Sequence, residues 1–322
     1  TTWEPEQQTE FPAVWWTNLS ELVVLNIDGL LRGNYPALNA LTNLSSVRLN
    51  KNRFSRDDPI ALFGPSLVSF QLWDAETDWV TPGHPLPVTI CNTRLSTFIM
   101  FSPGRRFEGH LPSCMQYLFL TFVLMSFSLL SGPIAPILSS PALYQFSIVS
   151  CSFSGSLPDS ISSMHILSSL ILRGLELTGW IPDMSGLSIL RTLAITNTGI
   201  TGAHGFPKSG PLLTLDLSDN SITHIGPEWF EMPTVVTLDI RRNNIRSWPA
   251  AGVYPFGFFG SVACADPEVP RFQWPNMQNL VIDENPLHGE SLWSILKSIT
   301  YLPLNHFSAA ACGLSGSLEK ES

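Results

Sequence analysis

The chain has 322 residues, of which 44% are hydrophobic and only 13% charged, with a formal net charge of −9. A typical soluble domain carries about 25% charged residues. The acidic balance, without any run of Lys or Arg, excludes a nucleic-acid partner. Length alone would allow two ordinary domains, but a repeat that recurs along the whole chain replaces that expectation with a single domain, 1–322.

The opening segment, TEFPAVWW, resembles the back half of the unit that follows, so the chain looks like a fragment or processed part of a longer protein. The unit is Leu-x-x-Leu-x-Leu-x-x-(polar)-x-Leu, with Val, Ile, Phe or Met allowed at the Leu positions. It starts in turn at Leu22, Leu44, Leu67, Leu95, Leu120, Leu143, Leu167, Leu190, Leu212, Val235, Met277 and Leu304. Most steps are 22 to 25 residues; the longest, 42, lies between Val235 and Met277. The alternation inside Leu-x-x-Leu-x-Leu predicts a short strand with one buried edge. One such strand cannot close a core, so copies must stack. The spacing therefore predicts an α/β solenoid of about twelve turns, with a parallel β-sheet on the concave face and irregular or 3-10 segments on the convex one.

The ninth position of each copy is Leu30, Asn52, Ala75, Pro103, Ser128, Cys151, Leu175, Thr198, Asn220, Asn243, Asn285 and Cys312. An Asn there is expected to satisfy backbone groups of adjacent turns. Beyond it, Gly33-Asn-Tyr-Pro36, Gly109-His-Leu-Pro112, Gly155-Ser-Leu-Pro158 and Gly179-Trp-Ile-Pro182 carry a Leu-x-Gly-x-Ile-Pro phrase. The chain thus resembles extracellular leucine-rich repeat proteins with plant-type repeats, such as surface proteins of plants, protozoa or water moulds. The resemblance covers nearly the whole chain. It implies a binding or structural surface protein and no cofactor. The paired-cysteine caps usual in plant receptor ectodomains are missing.

Cys91 and Cys114 lie 23 residues apart, about one repeat, on return segments of neighbouring turns; a bridge or two free thiols both fit that spacing. Cys151 and Cys312 occupy the ninth position and are expected to be buried and reduced. Asn18-Leu-Ser and Asn43-Leu-Ser match the N-glycosylation sequon, which with the repeat type points to a cell-surface or secreted protein. The run Tyr117–Leu130 is apolar but shorter than the ~20 residues of a membrane helix and keeps the repeat register, so it is expected to be buried strand and bend. Residues 246–275 form an aromatic, Pro-rich insertion.

Seven His are scattered without metal-ligand spacing, and neither Gly-x-Ser-x-Gly nor a phosphate loop occurs. The chain is expected to bind rather than catalyse. The register assigns outward positions to each strand. Towards the C-terminus they are polar or charged, as at Asp216, Asp239 and Asp283. In the middle they are Ile99, Phe101, Phe122, Leu124, Phe127, Val149 and Ile171. No Asp, Glu, Lys or Arg occurs in the fifty residues from Gly109 to Pro158. A contiguous apolar patch of this kind marks an interaction site or a face covered by the chain itself, for which the aromatic insertion after Ile245 is the candidate. These seven residues and Trp73, rimmed by Asp74 and Arg173, are the expected partner-binding site. The partner would be a protein, peptide or glycan; the alternative is a structural protein that assembles with copies of itself through the same uncharged belt.

Overall fold

The computed structural model describes residues 19–29, 32–33, 38–51, 53–54, 62–73, 85–101, 107–208, 210–226, 229, 232–248, 274–299 and 302–315. They fall into two compact units, Thr1–Ser160 with Gly174–Glu176, and Ile161–Arg173 with Leu177–Ser322. The expected sites Asn18 and Asp74, and residues 249–273 of the insertion with Cys264, lie outside the described residues.

The first unit holds the strands Val24–Asp28, Ser46–Asn50, Ser69–Trp73, Thr97–Phe101, Phe122–Ser126 and Gln145–Val149, each parallel to the one before. The second holds Ser169–Arg173, Thr192–Thr196, Thr214–Asp216, Thr237–Asp239, Asn279–Val281 and His306–Ser308, again parallel and in chain order. All twelve begin two residues after a register position. Thr237–Asp239 pairs directly with Asn279–Val281, so the 42-residue step adds no strand between them.

The pattern of burial follows the sequence period. Within Ser169–Arg173, Leu170 and Leu172 are fully buried while Ser169, Ile171 and Arg173 are not. The main-sheet strands from Ser46–Asn50 to Gln145–Val149 alternate alike, apart from a buried Ser126 at the end of Phe122–Ser126. The register residues from Leu44 to Met277 are also buried. Each such side chain contributes about 1.5–3 kcal/mol of apolar burial, and stacking makes that burial continuous along each unit.

The ninth position does what its chemistry predicts. Asn220 Nδ2 donates to the Ile195, Leu217 and Ser218 carbonyls, and Asn285 Nδ2 to those of Ile240, Ile282 and Asp283. Asn243 repeats the arrangement, and its Oδ1 accepts the Ile222 N–H. Where the Asn is replaced, Cys312 Sγ donates to the Ile282 carbonyl and Cys151 Sγ lies 3.2 Å from Ser128 Oγ. Both thiols are free and buried, and burial pushes both pKa values up. The residue before this position takes a left-handed conformation in turn after turn, as in Lys51, Phe127, Ser150, Asn197, Asp219, Arg242, Glu284 and Ala311, with φ between 51° and 58°.

The return segments differ from expectation. The 3-10 turns are present, among them Val88–Asn92 and Ser113–Tyr117, which the Cys91–Cys114 disulfide joins. In addition, a second set of parallel strands forms where the Gly-x-(Leu/Ile)-Pro phrases fall. The first unit contributes Glu108–His110, Leu129–Pro133 and Ser152–Gly155; in the second, Glu176–Asp183 pairs with Gly199–Gly205. Gly109, Gly132, Gly155 and Gly179 all have φ between 79° and 95°, a region only Gly enters freely. That bend turns the next apolar residue, such as Ile134 or Ile181, into the core and leaves extended backbone to pair with the neighbouring turn. An α-helix, Leu292–Ile299, replaces the 3-10 turn late in the chain.

Candidate functional site

The apolar surface is built on the first unit's main sheet. Register places Trp73 beside Phe101, Ile99 between Gln71 and Leu124, and Thr97 beside Phe122. Phe101 is 45% exposed and Phe127, on its left-handed turn, 57%. Trp73, Ile99, Phe122, Leu124 and Val149 are partly exposed. The Trp73 and Phe101 rings stack at 5.2 Å, and Phe122 meets Tyr144 edge-on at 5.7 Å. The Arg48 guanidinium lies 5.9 Å over the Trp73 ring, so the face grades from charged to apolar across four strands. Trp73 Nε1 is buried with no hydrogen-bond partner among the described residues.

Among the described residues of the first unit three further aromatics are exposed, two of them, Tyr117 and Phe119, against the expectation that the run Tyr117–Leu130 is buried. Tyr117 is 77% and Phe119 75% exposed, and Tyr144 is also exposed. They flank the register leucines rather than occupy the template's outward positions, so only their place in the uncharged run hinted at them. Ser126, outward by count, is instead buried; its short side chain sits between the larger Phe101 and Val149 of the neighbouring strands.

Ile171 and Arg173 stand on the second unit's sheet, partly exposed and exposed respectively. Arg173 Nη2 is 3.5 Å from Asp216 Oδ2, so its charge is already answered within that unit. Asp216 and Asp239 are register neighbours. Burial, aided by the nearby Asp216 charge, raises the Asp239 pKa against its hydrogen bond from the Arg241 N–H. Hydrogen bonds from Arg242 hold the Asp219 carboxyl low. This face is polar and internally paired, unlike that of the first unit.

The sequon residue Asn43 is exposed, its Nδ2 donating to the Ser20 carbonyl at 3.0 Å. Among the described residues no cluster of three His, Cys, Asp or Glu could hold a metal ion, and no helix is long and apolar enough to cross a membrane.

Residues 211–232 match the Leucine Rich Repeat family model. No curated protein matches the chain by sequence. Among solved structures, the plant peptide hormone receptor RGFR1 in complex with RGF2 superposes with a TM-score of 0.73 at 22% identity, over 94% of this chain and 46% of that one. The ectodomain of the Arabidopsis thaliana receptor kinase GASSHO1/SCHENGEN3, in complex with CASPARIAN STRIP INTEGRITY FACTOR 2, gives 0.64 at 22% identity, over 92% and 36%. A leucine-rich repeat protein of Leptospira interrogans gives 0.56 at 16%, over 92% and 74%. The chain thus spans less than half the length of either plant receptor structure. Twelve registered strands, the asparagine column and the matched repeat give this chain a leucine-rich repeat fold, similar to that of plant receptor ectodomains.

Proposed function

We propose that the protein is a non-catalytic recognition module, secreted or displayed at the cell surface, that binds an extended peptide segment on the main sheet of its first unit. The observation that carries this reading is the exposure of Phe101 and Phe127 on a face built largely from the uncharged stretch Gly109–Pro158 and the strand before it. Trp73, Ile99, Phe122, Leu124 and Val149 form the floor around them, and large aromatic anchors of this kind usually supply most of an interface's energy. The likeness to the plant peptide hormone receptor RGFR1, solved in complex with RGF2, supports a ligand-binding role in general. Asp74 belongs to the proposed site as its margin, Ile171 and Arg173 form a separate proposed contact on the second unit, and Asn18 and Asn43 are proposed glycosylation sites.

The test uses a variant that should fold. Phe122 and Leu124 are half-buried, so Phe101→Asp/Phe127→Asp is the cleaner choice, and Asp tolerates the left-handed backbone at 127 better than Phe. Random peptides displayed on phage and selected on the wild type should lose at least about tenfold in affinity for this variant. Failure to enrich any peptide, or equal binding to both proteins, overturns the reading. Self-assembly is the second reading, favoured by the exposure of Tyr117 and Phe119 in the same uncharged belt. A dimer by light scattering that the double variant abolishes would replace the first reading with the second.

A further inference from the structure

The second unit carries an aromatic cluster that plays no part in this proposal. In the strand Glu176–Asp183, Trp180 pairs in register with Gly202 of Gly199–Gly205, the outermost strand of the second sheet. A Cβ added to Gly202 would sit 2.9, 2.9 and 3.0 Å from three consecutive carbons of the indole's six-membered ring. Near-equal distances mean that the ring lies flat on the glycine, so any side chain at 202 would lift it. His204 stacks beside the indole at 5.0 Å and 27°, and His224 from the next turn closes to 5.5 Å at 56°. One indole face is shut against Gly202, yet Trp180 remains 38% exposed. The open area is the part of the indole that Gly202 and the two imidazoles leave uncovered.

Polar groups surround this plate. Both imidazoles are exposed, and His224 Nδ1 lies 3.2 Å from Thr223 Oγ1. Asp183, exposed at the end of the Trp180 strand, accepts the Ser185 N–H through Oδ1 at 2.9 Å. A flat apolar plate ringed by imidazole donors and a carboxylate acceptor matches a pyranose ring, which offers an apolar C–H face and a rim of hydroxyls. Sugars whose substituents are all equatorial present the flattest such face. A net charge of −9 disfavours acidic polysaccharides.

We propose that Trp180, seated on Gly202 and flanked by His204 and His224, is a binding site for neutral β-linked glycans, separate from the peptide surface. Trp180 supplies the stacking plate; His204, His224 and Asp183 bond the hydroxyls.

Titration calorimetry with cellohexaose and chitohexaose tests it, with α-linked maltohexaose as the less flat control. The wild type should bind at least one β-linked oligomer more tightly than maltohexaose. Trp180→Ala should weaken that binding by about tenfold or more, His204→Ala should weaken it less, and Phe101→Asp/Phe127→Asp should leave it unchanged. No saturable binding by the wild type, or equal binding by Trp180→Ala, overturns the proposal. Should Trp180→Ala fail to fold, Trp180→Phe and His204→Ala take its place. If those two lower Tm while affinity holds, the cluster is only a seal on the sheet edge and the proposal fails.

Discussion

Replacing Asn243 by Ala isolates what the ninth-position column contributes. The side chain is buried, and its Nδ2 donates to Leu217 O and Ile240 O at 2.9 Å and to Arg241 O at 3.2 Å. Two hydrogens serve three acceptors, so two strong bonds and one shared bond are lost. The Ile222 N–H, 2.9 Å from Oδ1, loses its acceptor as well. The orphaned Ile222 N–H costs about 1–3 kcal/mol, and the three carbonyls, which keep donors in Asn220 Nδ2, Asn285 Nδ2 and the Asp219 N–H, each lose a bond worth about 0.5–1.5 kcal/mol. Water entering the space and the side-chain entropy released offset part of this, which leaves roughly 3–5 kcal/mol. For 322 residues unfolding together, with an entropy of about 0.7 kcal/mol/K, that is a fall in Tm of about 4–7 °C. If the repeats open piecemeal, an earlier separate transition appears instead. Asn243→Asp should be worse than Asn243→Ala near neutral pH, because it points a carboxylate at two carbonyls. The two variants should converge as pH falls and the carboxyl protonates. Guanidinium unfolding followed by circular dichroism measures all three proteins. A loss below about 1 kcal/mol for Asn243→Ala, or an Asn243→Asp variant as stable as wild type, would refute the account of the column.

Cys91→Ser/Cys114→Ser opens a loop with a sequence separation of 23, so stability should drop by about 3 kcal/mol on the chain-entropy view; an unchanged unfolding midpoint contradicts it. Cys151 and Cys312 should resist a thiol reagent in the native protein and react on denaturation, since burial raises both pKa values and restricts access; fast labelling of either counts against their placement. Asp239 has a folded pKa above its unfolded value near 3.9, so the native state holds the extra proton between the two values and stability falls as pH rises through that window. Asp239→Asn, which keeps an acceptor for the Arg241 N–H, should be neutral to stabilising near pH 7 and flatten that pH dependence; clear destabilisation at pH 7 would mean that the Arg241 charge outweighs burial.

The main sheet was legible residue by residue. A period of two within each Leu-x-x-Leu-x-Leu and a period of about two dozen along the chain admit one solution, in which every register residue opens a parallel strand. The role of Asn220, Asn243 and Asn285 was legible for the same reason: an amide at an inward bend has backbone groups as its partners. The second set of strands was not, because Gly-x-(Leu/Ile)-Pro has no alternation of its own. It becomes a strand only once stacking sets equivalent phrases of neighbouring turns side by side.

For the apolar surface, the sequence by itself determined which residues leave the core, since that follows from strand parity. How far each is exposed was decided by neighbours on adjacent strands: Ser126 is shadowed while Phe101 and Phe127 stand clear. Tyr117 and Phe119 joined the surface because the turn before Leu120 carries them outside the template. The Trp180 cluster lay beyond sequence reasoning altogether. Trp180, Gly202, His204 and His224 come from three successive turns, and no local period relates an indole to the glycine that receives it. Their meeting depends on lateral register between strands, a property that exists only after the turns have stacked.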